Sequence, residues 1–208
     1  EGHKVQVFDT TYYSTDHGNN SDGTKEQGLN VVPFSDALKK RGMMPKKTKW
    51  QDDVKEQIKN YKPNLIALSS TEDMWELGIK VLEEIEEYKI KNKIPVLAGG
   101  VFPTFAPDIC IKNNLIDMVC VGEGENVLPE LCERMQRKKK YDNIPGLWVK
   151  NKDGSITKNA MAKAVNMEDN PVLDLSIFEE GRLYRPMQGK VWRMFPLETH
   201  RGCPYRCT

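Results

Sequence analysis

A chain of 208 residues with 31 Lys and Arg against 30 Asp and Glu carries a net charge of +1, which gives no electrostatic case for a nucleic-acid partner. No apolar run approaches the ~20 residues that span a bilayer, and no secretory signal opens the chain. Five cysteines, an odd number without framework spacing, argue against a secreted disulfide scaffold and make a reducing cytoplasm the expected compartment.

Residues 4–8, KVQVF, alternate polar and apolar and predict a short strand ending at Asp9. Residues 10–34 are rich in Thr, Ser, Asn, Asp and Gly and predict a long loop of the functional or mobile kind. A short helix follows, with Ser35 as N-cap and Gly42 as its stop. From Trp50 the pattern becomes regular: Val54, Ile58 and Tyr61 share one face of a helix over 50–61. PNLIALSS (63–70) is an apolar strand, and 71–93 a long helix with Glu72 and Asp73 in its first turn. IPVLAGG (94–100) is a strand, 106–114 a short helix, IDMVCVG (116–122) a strand and 125–139 a helix. Lys152-Asp153-Gly154-Ser155 marks a hairpin turn within 146–159. Residues 160–197, with Pro171, Pro186 and Pro196 and no clean period, read as a connecting segment. Buried apolar strands alternating with helices predict a parallel α/β sheet covered on both faces.

Ligands of such sheets bind beyond the carboxyl ends of the strands. Here those ends read Ser69-Ser70-Thr71, Gly99-Gly100 and Gly122-Glu123-Gly124-Glu125. Small residues admit a bulky ligand close to the backbone, and hydroxyls offer hydrogen bonds. Any one of these turns also suits an ordinary strand-to-helix connection. None is a GxGxxG or a P-loop, so the rim is not built for a dinucleotide in the usual way. The chain closes on RGCPYRCT, where Cys203 and Cys207 stand in a CxxxC spacing that by itself is weak and also fits a pair of free thiols.

The run IPVLAGGVFPT, then IDMVCVGEGE, then a hairpin and a Pro-containing linker into RGCPYRCT, resembles the cobalamin-binding radical SAM enzymes. The order and spacing of these motifs carry the likeness, which covers most of the chain. It implies a Rossmann-like (flavodoxin-like) cobalamin-binding domain over 1–140, a hairpin and linker over 141–197, and the start of a radical SAM barrel at 198–208. It implies that Gly99 and Gly100 let the nucleotide tail of cobalamin lie against the strand end, bordered by Ser69, Ser70 and Thr71. Val101, Phe102, Pro103 and Thr104 are implied as further cofactor contacts, with Gly122, Glu123 and Gly124 and, after the first strand, Thr10 and Thr11. Cys203 and Cys207 match the first two ligands of the CxxxCxxC pattern that holds a [4Fe–4S] cluster, and the third falls at position 210.

In that family KVQVF matches the second strand of the domain, so the chain reads as a fragment cut at both ends, its sheet incomplete where the first strand belongs. Asp9 does not open a DxHxxG axial-ligand motif, because Thr11 and Ser14 stand where His and Gly are needed. The implied function is S-adenosylmethionine radical chemistry assisted by cobalamin, by methyl transfer or a related reaction. The implied substrate is an unidentified small molecule or natural product, with a flavodoxin- or ferredoxin-like electron donor. Two other readings stay open: a non-catalytic cobalamin-binding or sensing module, and a flavodoxin-like flavin or receiver domain. The latter lacks an acidic strand-end cluster for Mg²⁺ and a hydroxyl-rich phosphate loop.

Overall fold

The computed structural model describes residues 2–13, 46–187, 190–198 and 201–202. Most of the expected 10–34 loop, the expected helix at 35–42, and both Cys203 and Cys207 lie outside the described residues. The chain divides into one unit of Glu1–Lys4 with Gln51–Asn170, and another of Val5–Trp50 with Pro171–Thr208.

The first unit is built on a five-stranded sheet in chain order: β1 (Ile66–Ser69), β2 (Val96–Gly99), β3 (Met118–Cys120), β4 (Leu147–Lys150) and β5 (Ile156–Lys158). The pairs β1–β2 and β2–β3 are parallel, while β3–β4 and β4–β5 are antiparallel. The expected hairpin therefore continues the parallel sheet. The central strands are apolar throughout because both faces are covered: Val96, Ala98 and Val119 are fully buried and Leu97 and Met118 nearly so.

Helices α1 (Trp50–Tyr61), α2 (Glu72–Glu84), α3 (Glu86–Asn92), α4 (Val101–Phe105), α5 (Pro107–Lys112) and α6 (Gly124–Gln136) make up the connections. Val127 and Leu131 of α6 join Leu97, Met118, Cys120, Ile144, Leu147 and Val149 in one core cluster. α5 packs on β3 and β4, and Gly78 of α2 lies so close over Leu68 that an added Cβ would come within 2.7 Å of its side chain. At the opposite end of the strands from the turns, the buried Lys89 ammonium donates to the Leu115 carbonyl at 2.8 Å and pairs with Asp117 at 3.1 Å. The same Asp117 carboxylate accepts the Val96 N–H at 2.8 Å, so one side-chain knot fixes where β2 begins.

Four elements differ from the sequence reading, the first being α4, a helix over Val101–Phe105 where none was expected. The helix expected over 71–93 is two helices: at Ile85 (φ −112°, ψ 6°) the N–H bonds the Leu82 carbonyl, a tighter i→i−3 link that ends α2. Residues 4–8 form no strand. A strand exists by pairing, and β1, at the sheet edge, has no partner other than β2 among the described residues. The segment read as a connection carries its own structure, three short 3₁₀ turns and the antiparallel pair β6 (Tyr184–Met187) and β7 (Lys190–Arg193).

In the second unit Asp9 organises its neighbours. Its carboxylate accepts the Thr11 N–H at 2.9 Å and the Thr11 hydroxyl at 2.7 Å, and pairs with Arg182 at 2.9 Å. Lys46 pairs with Glu179 at 2.5 Å and lies over the Tyr13 ring, 4.5 Å from its centroid.

Candidate functional site

The register of the parallel strands decides where the site lies. Ser69 is level with Gly99, and Ala98 with Val119, so the three turns that follow β1, β2 and β3 emerge on one rim. The turns are tied to one another through the backbone. Gly99 carbonyl accepts the Ser70 N–H at 3.1 Å, and Ser70 carbonyl accepts the Phe102 N–H at 3.2 Å.

Gly100 is what makes this close approach possible. Its φ of +95° with ψ of −167° belongs to a region open essentially to glycine alone, and a Cβ there would sit 3.0 Å from Ser69 Oγ, Ser70 N and Ser70 O. Gly99 differs: its added Cβ would meet nothing nearer than the Cys120 Cβ at 3.8 Å, and Gly124 would meet nothing within 4 Å. These two glycines are not demanded by internal packing. Each leaves open space where a side chain would stand.

The rim hydroxyls sort by their hydrogen bonds. Thr104 Oγ donates to the Gly100 carbonyl at 2.8 Å and accepts the Gly122 N–H at 3.1 Å, bracing the β2 turn against the β3 turn. Ser70, buried, donates to the Thr71 carbonyl at 2.7 Å, and the Thr71 hydroxyl donates to Asp73. Ser69 is exposed, and its hydroxyl makes no hydrogen bond within the described residues. Of the hydroxyls singled out in these turns, Ser69 is thus the one with its donor uncommitted.

Apolar side chains accompany these groups. Trp75 of α2 and Phe102 of α4 are in ring contact at 5.4 Å, and Pro103 is fully buried. Val101 and Phe105 are 60% and 85% exposed. Burial pushes the thiols of Cys110 and Cys120 up to about 11, Cys120 with an added push from the Glu125 carboxylate, so both are inert fillers at neutral pH. Among the described residues no group of three His, Cys, Asp or Glu is placed to hold a metal ion.

The structure brings Ser69, Ser70, Thr71, Gly99 through Thr104, and Gly122 through Gly124 together on this rim. Thr10 and Thr11 fall in the other unit, where the Thr11 hydroxyl is engaged by Asp9 and Arg182. Sequence reading missed the segment after β5. Val165 N–H donates to the Glu123 carboxylate at 2.5 Å, and Met161 would lie 3.5 Å from a Cβ on Gly122. The available signal was the hairpin itself, whose second strand must return the chain to the rim where the first one began.

Residues 25–132, just over half of the chain, match the family model described as the B12 binding domain. The chain belongs to the B12-binding domain family. This B12-binding domain is 30% identical over 152 residues to 4′-phospho-dehydrooxetanocin synthase of Priestia megaterium, a match covering 70% of the chain and 19% of that protein. It is 26% identical over 148 residues to the cobalamin-dependent radical SAM methyltransferase TokK of Streptomyces tokunonensis, covering 70% of the chain and 21% of TokK. The structure of the cobalamin-dependent S-adenosylmethionine radical enzyme OxsB with aqua-cobalamin and S-adenosylmethionine bound superposes with a TM-score of 0.52. That match has 20% identity and covers 76% of this chain and 22% of OxsB, and it shows the shared Rossmann-like fold. The chain spans about a fifth of the length of the curated relatives it matches.

Proposed function

We propose that the rim formed by Ser69–Thr71, Gly99–Thr104 and Gly122–Gly124 holds cobalamin, and that the chain is the cobalamin-holding part of a radical SAM enzyme. The observation that carries the proposal is the open space at Gly99 and Gly124 beside the close-packed Gly100 turn. A rim with small residues where no internal packing requires them suits a large ligand lying on the backbone. The mix of exposed Val101 and Phe105 with an uncommitted Ser69 hydroxyl fits a ligand that is apolar over much of its area and hydrogen-bonded at a few points.

In this reading Gly99 gives the ligand access to the strand end, Ser69 donates to it, and Gly100 and Thr104 hold the two turns at fixed spacing. Bound cobalamin supplies methyl transfer or redox chemistry that no side chain here can perform. The protein's contribution is to orient the cofactor and keep water from its buried face. Cys203 and Cys207 are proposed as two thiolate ligands of a [4Fe–4S] cluster that works with S-adenosylmethionine in the whole protein. A small-molecule substrate, a flavodoxin- or ferredoxin-like electron donor and a cytoplasmic setting belong to the same proposal. No helix of the described residues is long and apolar enough to cross a membrane.

The test has two arms. Hydroxocobalamin titrated into the chain is expected to change its visible spectrum saturably at one equivalent. Iron and sulfide reconstitution of the full-length protein is expected to produce cluster absorbance that Cys203→Ala and Cys207→Ala each abolish. A folded chain with no spectral change overturns the cobalamin reading; absorbance unaffected by the cysteine variants overturns the cluster assignment.

A further inference from the structure

We propose that residues 159–165 form a strap that walls the β3 end of the rim assigned to cobalamin, with Met161 as the side chain that lies against the ligand. The inference rests on the cobalamin reading above and assigns a contact residue outside the three strand-end turns.

The topology delivers the strap to this place. β4 runs antiparallel to β3 with Leu147 level with Cys120, so β4 begins at the rim where β3 ends. β5 runs antiparallel to β4 with Lys158 level with Trp148, so β5 returns the chain to that same rim. The chain after Lys158 goes on to the β3 turn, where Met161 lies beside Gly122 and Val165 meets Glu123.

They are held there at several points. The Asn159 side-chain amide donates to the Leu147 carbonyl at 2.6 Å and the Asp142 carbonyl at 2.8 Å. Ala160 carbonyl accepts the Gly146 N–H at 2.7 Å, and Ala162 packs against the core cluster. At the far end the Glu123 carboxylate accepts the Val165 N–H at 2.5 Å. With its neighbours Ala160 and Ala162 fixed, Met161 is carried over Gly122, where a Cβ would come within 3.5 Å of its Cγ and 3.7 Å of its sulfur.

Met161 is nonetheless 66% exposed. A firmly tethered segment that presents a long apolar side chain to solvent, beside a turn of positive φ at Gly122 (+93°), has the form of a wall awaiting a ligand face. Methionine suits that duty, being unbranched, polarisable and able to follow an irregular surface. Glu123 acquires a role as well: it anchors the strap through Val165.

The experiment uses the chain labelled with ¹³C at its methionine methyls, the Met161 signal being assigned from its disappearance in Met161→Leu. Hydroxocobalamin is added while visible absorbance is followed in the same samples. The Met161 methyl is expected to shift with the midpoint of the absorbance titration. Met161→Ala should weaken binding about tenfold, the loss expected for one apolar side chain at an interface, and Met161→Leu should restore most of it. Saturation of the absorbance change with an unmoved Met161 methyl, or a Met161→Ala affinity within twofold of wild type, overturns the strap assignment while leaving the cobalamin reading intact. Absence of any absorbance change in wild type overturns the cobalamin reading itself, so the two failures are distinguishable.

Discussion

Replacing Gly100 by Ala should be the most damaging single-methyl change on the rim. Two costs add at this position. The backbone, at φ +95° and ψ −167°, lies in a region that costs a residue with a Cβ roughly 1–3 kcal/mol. The methyl would also stand 3.0 Å from the Ser70 N and O atoms, which are backbone and cannot swing away. Relieving that contact strains the Gly99–Ser70 and Ser70–Phe102 hydrogen bonds, at 3.1 and 3.2 Å, that join the two turns. Together these give an expected destabilisation of about 2–4 kcal/mol. Urea denaturation followed by far-UV circular dichroism measures it, with Gly124→Ala as the control. Gly124 begins α6 with open space around it, so its replacement should be neutral or stabilising by up to about 1 kcal/mol. A Gly100→Ala protein within about 0.5 kcal/mol of wild type would show that neither the conformational nor the steric cost is present.

Thr104→Val keeps the shape of the side chain but removes the brace between Gly100 and Gly122. It should cost about 1–2 kcal/mol and accelerate hydrogen exchange at the Gly122 amide, with Thr104→Ser restoring most of both. Unchanged Gly122 exchange would mean the hydroxyl bridges nothing. The thiols of Cys110 and Cys120, held near a pKa of about 11 by burial, should react with a disulfide reagent about 100-fold more slowly than an unperturbed thiol at pH 8, from the ionised fraction alone. Their rates should still be rising with pH above 10. A plateau of either rate near pH 9 would show that burial does not suppress ionisation there.

What was legible in the sequence was whatever a local pattern controls. Strands β2 and β3 are short apolar runs closed by Gly, because a strand buried on both faces has no polar side to show, and β1 is apolar up to Ser69 although, at the sheet edge, its Ala67 and Ser69 are exposed. α1 shows its buried Val54 and Ile58 directly as a helical period. The division of 71–93 at Ile85 has no Gly or Pro to announce it, only a backbone hydrogen bond that spans three residues instead of four. α4 is five residues long, too short for a period. Its Pro103 costs nothing because the first turn of a helix has no internal partner for its N–H groups.

Residues 4–8 show the opposite limit. Their alternation is real, but pairing needs a partner edge that no window of sequence supplies. Of the site, the glycine and hydroxyl turns were visible, yet which hydroxyl is committed and which is free depends on contacts between turns, such as Thr104 with Gly122. Met161 was signalled only indirectly, by the hairpin, since its place at Gly122 follows from the antiparallel pairing of β4 with β5 and from contacts beyond it.

Gly99→Ala asks whether the space beside Gly99 exists for cobalamin. An Ala here would meet only the Cys120 Cβ, at an ordinary 3.8 Å, so the variant should unfold in urea within about 0.5 kcal/mol of wild type. A ligand lying against that strand end would meet the new methyl, and hydroxocobalamin affinity measured by visible absorbance should fall at least about tenfold. Wild-type stability with lost binding is the predicted result. Wild-type stability with undiminished binding would mean that cobalamin does not lie against this strand end.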